Sequence, residues 1–135
     1  MEPEYILEWF RYGDMDLLSA ETLTTHHPVH VELVCFLCQQ SAEKYLKGLL
    51  IYNGISDPPK IHNLDTLGEM SIPYADRLTD IQKACAVLTR YGVQPRYPHE
   101  MEITEQDMAK ALDYARQIRD CDPIQRVRQM LTQIK

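Results

Sequence analysis

From Cys35 to Leu50 the chain reads as one strong helix whose polar residues interrupt its apolar stripe instead of gathering on a face of their own. Gln39, Gln40, Glu43 and Lys47 fall among Val31, Val34, Cys35, Cys38, Ala42, Tyr45, Leu46 and Leu49. A helix lying on a surface, wet on one side and apolar on the other, has no use for that arrangement. The interrupting groups are expected to lie against neighbouring helices, where each must find a hydrogen bond or cost roughly 1–3 kcal/mol. The segment therefore asks for an all-helical setting that surrounds it.

The rest of the chain supplies one. Ile6, Trp9, Phe10, Gly13, Leu17, Ala20 and Leu23 recur at helical spacing and predict a first helix from Glu4 to Thr24. Pro28 ends it, because a proline disfavours helix in the residue before it. The second helix is expected from His30 to Asn53, closed by Asn53-Gly54. A short helix is predicted from His62 to Met70, then a longer one from Tyr74 to Tyr91 with Leu78, Ile81, Ala84, Cys85 and Leu88 facing inward. Thr104-Glu105-Gln106-Asp107 reads as a capped start, with Met108, Ala111, Leu112, Ala115 and Ile118 inward. Asp122-Pro123 reads as a fresh cap followed by proline in the first turn, with the last helix running to Ile134. No strand pattern competes. The expected fold is all-α: an antiparallel up-down bundle of four long helices, plus a short helix between the second and third, in a single domain over residues 1–135.

Several function classes fall away. The net charge of −6 argues against nonspecific binding to duplex nucleic acid, which relies on a basic surface. No apolar run approaches the roughly 20 residues of a membrane helix, and the acidic start Met1-Glu2-Pro3-Glu4 is unlike a secretory signal. A cytoplasmic protein without membrane association is expected. Cys35 and Cys38 have the gap of a metal knuckle, but no second pair exists, so buried thiols are expected instead of zinc. His26, His27 and His30 straddle Pro28 with no carboxylate beside them and read as an exposed turn. His62 is expected to cap a helix or touch its neighbour. No metal site and no cofactor are expected, since phosphate-binding glycine loops and dinucleotide fingerprints are absent.

Chemistry concentrates between Arg90 and His99. Arg90, Tyr91, Arg96, Tyr97 and His99 lie on a segment broken by Gly92, Pro95 and Pro98. Arginine offers a planar fork of donors suited to phosphate. Tyrosine offers a face for a base, and histidine can move a proton near neutral pH. Such a set can bind a nucleotide, or cleave RNA without a metal by deprotonating a 2′-hydroxyl and stabilising the phosphorane. A tyrosine packed on the bundle beside a helix-capping arginine would need the same residues. Elsewhere, Glu43 and Lys47 are placed for a helical ion pair, and Asp16 of the first helix is expected to reach Lys47. Tyr5, Trp9, Phe10, Tyr12 and Phe36 are expected to leave an apolar patch suited to dimerisation.

Four blocks in order resemble the HEPN domain family: Trp9, Gly13, Asp16-Leu17 and Ala20; Cys35-Phe36, Gln39-Gln40, Ala42-Glu43 and Leu46-Lys47-Gly48-Leu49; His62 with Leu64 and Leu67; and Tyr91 with Arg96-Tyr97-Pro98. The resemblance runs from Glu4 to Ile118. It implies a small helical bundle that forms homodimers, in bacteria often beside a separately encoded minimal nucleotidyltransferase in toxin–antitoxin pairs. Many members are metal-independent ribonucleases, with an arginine, four to six residues, then a histidine. Here Arg96 and His99 are separated by two residues and Arg90 and His99 by eight, so neither gap fits. The chain is similar to the Arg-Tyr-Pro branch, which implies a nucleotide or single-stranded RNA contact at Arg96 and Tyr97. The candidate contact set is Arg90, Tyr91, Arg96 and Tyr97 with Lys47. Arg96 and His99 are the catalytic candidates of the alternative reading, a ribonuclease toxin; a helical adaptor is the third.

Overall fold

The computed structural model describes residues 2–92 and 102–134. These residues form an all-helical bundle, and no strand occurs among them. Two long helices dominate: α1, Pro3–Leu23, and α2, Val31–Tyr52. After α3, Leu64–Ser71, a segmented helix is built from α4, Tyr74–Asp76, a wide turn over Arg77–Ile81, α5, Gln82–Leu88, and a tight turn over Thr89–Tyr91. Then follow α6, Glu105–Asp120, and α7, Asp122–Ile134. Each expected boundary lies within about two residues of the observed one, the usual precision of helix ends.

The starts and stops have local causes. The Asn63 side chain accepts from the Thr66 amide at 3.1 Å and caps α3. The Thr104 hydroxyl accepts from the Asp107 amide while the Asp107 carboxylate accepts from the Thr104 amide, a reciprocal box that opens α6. Gly54 sits at φ 105°, the left-handed conformation that ends α2. Extended backbone at Cys121 (φ −65°, ψ 152°) separates α6 from α7.

Packing of α1 on α2 is set by a reciprocal fit. A Cβ on Gly13 of α1 would stand 2.8 Å from the Tyr45 ring of α2, and one on Gly48 of α2 would stand 2.8 Å from the Phe10 ring of α1. Each helix thus seats its aromatic ring on the other's glycine, with the two rings 6.2 Å apart. Ser41 seals the crossing by donating to the Gly13 carbonyl at 2.7 Å. α2 is buried on nearly all sides, as its interrupted stripe requires: Gln39, Ser41, Glu43 and Lys47 are buried alongside Tyr45, Leu46 and Leu50.

Two expectations about packing are corrected. Leu78 does not face inward; it is 53% exposed. Leu78 lies within the wide turn Arg77–Ile81, which holds one residue more than regular winding, and is thereby rotated away from the core that Ile81, Ala84, Cys85 and Leu88 enter. Phe10 does not join a surface patch, because its ring is fully buried between α1 and α2.

Candidate functional site

At the bundle end where the described chain stops at Gly92, the polar residues of α2 converge. Gln39 donates through Nε2 to Glu43 at 3.1 Å and to the His62 carbonyl at 3.0 Å. Gln40 donates to the Gln39 side-chain oxygen at 2.7 Å. Lys47 donates to Glu43 at 2.9 Å, and His62 brings Nδ1 within 3.0 and 3.2 Å of the two Glu43 oxygens. No buried side-chain nitrogen or oxygen among the described residues is left unpaired. Burial pushes the Glu43 carboxyl up, but the donors Lys47, Gln39 and His62 together outweigh it and hold its pKa below the ordinary glutamate value. Glu43 is therefore a buried anion serving three donors.

This network underlies the tight turn Thr89–Tyr91. The Thr89 hydroxyl accepts from the Leu64 amide at 3.1 Å, tying that turn to the start of α3. Gly92 lies against Gln39 so closely that a Cβ there would stand 3.2 Å from Nε2. The turn that ends at Gly92 is thus tied to α3 through Thr89 and lies close against Gln39 of α2. Arg90 is exposed on that turn, and the His62 side chain, 62% exposed, stands open to solvent while Glu43 holds it. An exposed guanidinium and an imidazole held by a carboxylate are both groups that can receive a phosphate.

The other expected contact residues are placed differently. Lys47 has a side chain only 8% exposed, and its ammonium is engaged by Glu43, so it braces the site from within. Tyr91 is buried, and burial pushes its hydroxyl pKa up to about 12. Arg96, Tyr97 and His99 lie outside the described residues. The roles of Gln40, Asn63 and Thr89 escape a reading of the sequence, since isolated polar residues at a turn carry no distinctive spacing. Gln39 was signalled by its place in an apolar stripe.

A second ionic seam joins α1 to its neighbours. Asp14 accepts from the Tyr45 hydroxyl and from both Arg128 terminal nitrogens, at 3.0 and 3.1 Å, and that guanidinium lies 5.3 Å over the Phe10 ring. Glu21 accepts from Arg116 at 2.8 and 3.0 Å. Asp16 pairs with Lys44, which corrects the expected partner Lys47. The glycine–aromatic fit sets the register of the two helices, and in that register Lys47 turns inward to Glu43 while Lys44 reaches Asp16. The pairing of Glu43 with Lys47 is as expected.

The four cysteines form no disulfide and are all buried. Among the described residues no three metal-ligating side chains converge; His26 and His30 stack at 4.8 Å in an exposed turn. No helix of the described residues is long and apolar enough to cross a membrane.

The chain matches the HEPN domain family over residues 6–124. Its structure is similar to that of ST0689, an archaeal HEPN homologue, with 27% identity, a TM-score of 0.67, and coverage of 93% of this chain and 97% of that one. It shares the fold of TT1696 from Thermus thermophilus, with 24% identity, a TM-score of 0.70, and coverage of 90% and 97%. No curated protein matches the sequence. A helical bundle built around the Gln39–Glu43–Lys47 helix, matched over residues 6–124, makes this chain a member of the HEPN domain family.

Proposed function

We propose that the chain is a nucleotide- or RNA-binding module that acts as a homodimer in the cytoplasm, beside a separately encoded minimal nucleotidyltransferase in a toxin–antitoxin type pair. The observation that carries this reading is the solvent-open His62 ring held by the buried Glu43 carboxylate, with Arg90 exposed at the turn whose last residue, Gly92, packs on Gln39 of the same network. The residues that follow include Arg96 and Tyr97, which add a second phosphate fork and a stacking face. Binding, not cleavage, is the leading reading because the Arg96–His99 interval is shorter than ribonuclease relatives use. The net charge of −6 suits a basic protein partner and confines nucleic-acid contact to this local cluster.

The test is thermal unfolding of the whole protein with ATP, GTP or a short single-stranded RNA, in excess chelator. A ligand that binds only the folded form must raise the midpoint. The rise is expected for at least one of these and is expected to vanish in Arg90→Ala and Arg96→Ala, whose own midpoints stay close to the parent's. No rise with any of them overturns the reading in favour of a helical adaptor. Chelator-resistant RNA cleavage lost in Arg96→Ala and His99→Ala moves it to a ribonuclease.

A further inference from the structure

The hydrogen bonds around Glu43 all run toward it. Gln40 donates to Gln39, Gln39 and Lys47 donate to Glu43, and the carboxylate is a buried anion that can only accept. The His62 nitrogen that faces it, Nδ1, lies 3.0 and 3.2 Å from the two oxygens and must therefore carry a proton. In the neutral ring that leaves Nε2 with a lone pair. The Glu43 side chain is 8% exposed and the His62 side chain 62%, so one end of this pair is fixed in the bundle and the other stands in solvent. Among the described residues no group donates to Nε2. The fold thus holds out a hydrogen-bond acceptor of set orientation.

Chemistry narrows what can donate there. A protonated imidazole, with two N–H groups, can take a phosphate; the neutral ring leaves the phosphate to a guanidinium such as Arg90, exposed on the turn Thr89–Tyr91. That turn is joined to His62 through its neighbours. Thr89 accepts from the Leu64 amide at 3.1 Å, and Gly92 packs on the Gln39 nitrogen that also donates to the His62 carbonyl at 3.0 Å. In the reading above, arginines take the phosphate and Tyr97 takes the base, which leaves the sugar without a partner. A ribose hydroxyl is a donor present on every nucleotide of RNA, and DNA lacks it at the 2′ position. The amines on the base edges differ from one base to the next.

We propose that His62 Nε2 accepts a hydrogen bond from a ribose hydroxyl of the bound ligand, so that His62 separates ribose from deoxyribose. Glu43 touches no ligand in this arrangement; it is the positioning residue that keeps the ring proton inward and the lone pair outward. The inference rests on the nucleotide- or RNA-binding reading above and deepens it by naming the sugar as a recognised part.

The experiment compares labelled single-stranded RNA, DNA of the same sequence and 2′-fluoro RNA by fluorescence anisotropy, on the full chain at pH 8 in excess chelator. The fluoro sugar keeps the size and pucker of ribose and lacks only the O–H. A second arm, thermal unfolding with ATP against 2′,3′-dideoxy-ATP, distinguishes a free nucleotide from RNA as the source of the hydroxyl. The hydroxyl-bearing ligand is expected to bind about three- to tenfold more tightly than its analogues, the worth of one hydrogen bond. His62→Phe keeps an exposed ring without the lone pair; circular dichroism is expected to report intact helices, and the preference is expected to vanish. Glu43→Gln with Lys47→Met is expected to lower the preference too, since an amide does not dictate which ring nitrogen holds the proton; an unchanged preference overturns the part given to Glu43. Equal binding of each ligand and its analogues overturns the sugar contact and leaves the binding reading standing. A preference that survives in His62→Phe assigns the hydroxyl to another group and overturns the inference. No binding in either arm overturns the reading and the inference together.

Discussion

Glu43 and Lys47 meet across one turn of α2 at 2.9 Å, each with a side chain only 8% exposed. Taking one of them away strands the other in a place water does not reach. Breaking a buried pair costs about 3–5 kcal/mol, whereas replacing both members by neutral groups of similar size is far milder. Lys47→Met is expected to fall in that range by urea denaturation, and Glu43→Gln with Lys47→Met together is expected to recover most of the loss. A double-variant loss equal to the sum of the losses of Glu43→Gln and Lys47→Met measured singly would show that the pair is not coupled.

The same carboxylate gives the fold an acid-side weakness. Glu43 is held below the ordinary glutamate pKa of about 4.3 by its donors, despite burial. A depressed pKa in the folded state contributes stability that is fully present above the unfolded value and is lost as pH falls through the folded one. Unfolding free energy is therefore expected to decline as pH drops below about 4.3, and Glu43→Gln is expected to flatten that part of the profile. A parent and variant with parallel slopes would assign the acid sensitivity to other groups.

Thiol chemistry is expected to be silent in the folded protein. Burial, with smaller contributions from Asp107 and Glu32, pushes Cys35 up to about 12; burial with Asp65 does the same to Cys85. Cys38 is raised further, again by burial. Since the thiolate is the reactive form, a chromogenic disulfide reagent at pH 8 is expected to titrate no thiol until denaturant is added, and then all four. Rapid labelling of the native protein would place at least one thiol in contact with solvent.

Gly13 and Gly48 invite a substitution that helix propensity alone would favour. Alanine is the better helix former by about 1 kcal/mol. Its methyl group, however, would come 2.8 Å from the Tyr45 or Phe10 ring. Both rings are fully buried, and the Tyr45 hydroxyl is tied to Asp14, so neither can swing aside. Overpacking of this kind costs about 1–3 kcal/mol and is expected to prevail. Gly13→Ala and Gly48→Ala should each lower the thermal midpoint; a rise in either would mean that α1 and α2 can separate slightly at little cost.

The sequence announced α1, α2 and the Thr104 cap because each is a local matter of spacing or side-chain reach. The burial of Gln39 and Glu43 was equally visible, as polar residues lodged in an apolar stripe. What stayed hidden depends on three dimensions. Whether Asp16 meets Lys44 or Lys47 follows from the register in which two glycines admit two rings, and a one-dimensional pattern of charges does not contain it. Leu78 misled for a different reason: a count at 3.6 residues per turn assumes regular winding, and the turn at Arg77–Ile81 departs from it. At the candidate site, Arg90 and Lys47 were legible as cations. That one stands in solvent and the other is enclosed by Glu43 was not.

The loosened winding at Arg77–Ile81 also sets where evolution can change the length of this chain. Elsewhere in a core helix, losing one residue would spin everything after it by about 100°, carrying Ala84, Cys85 and Leu88 out of their seats. Here the surplus residue already sits in the turn, and its removal would restore ordinary coiling while those three keep their places. The segmented helix of the bundle is thus expected to contain one spot at which a single-codon deletion is forgiven.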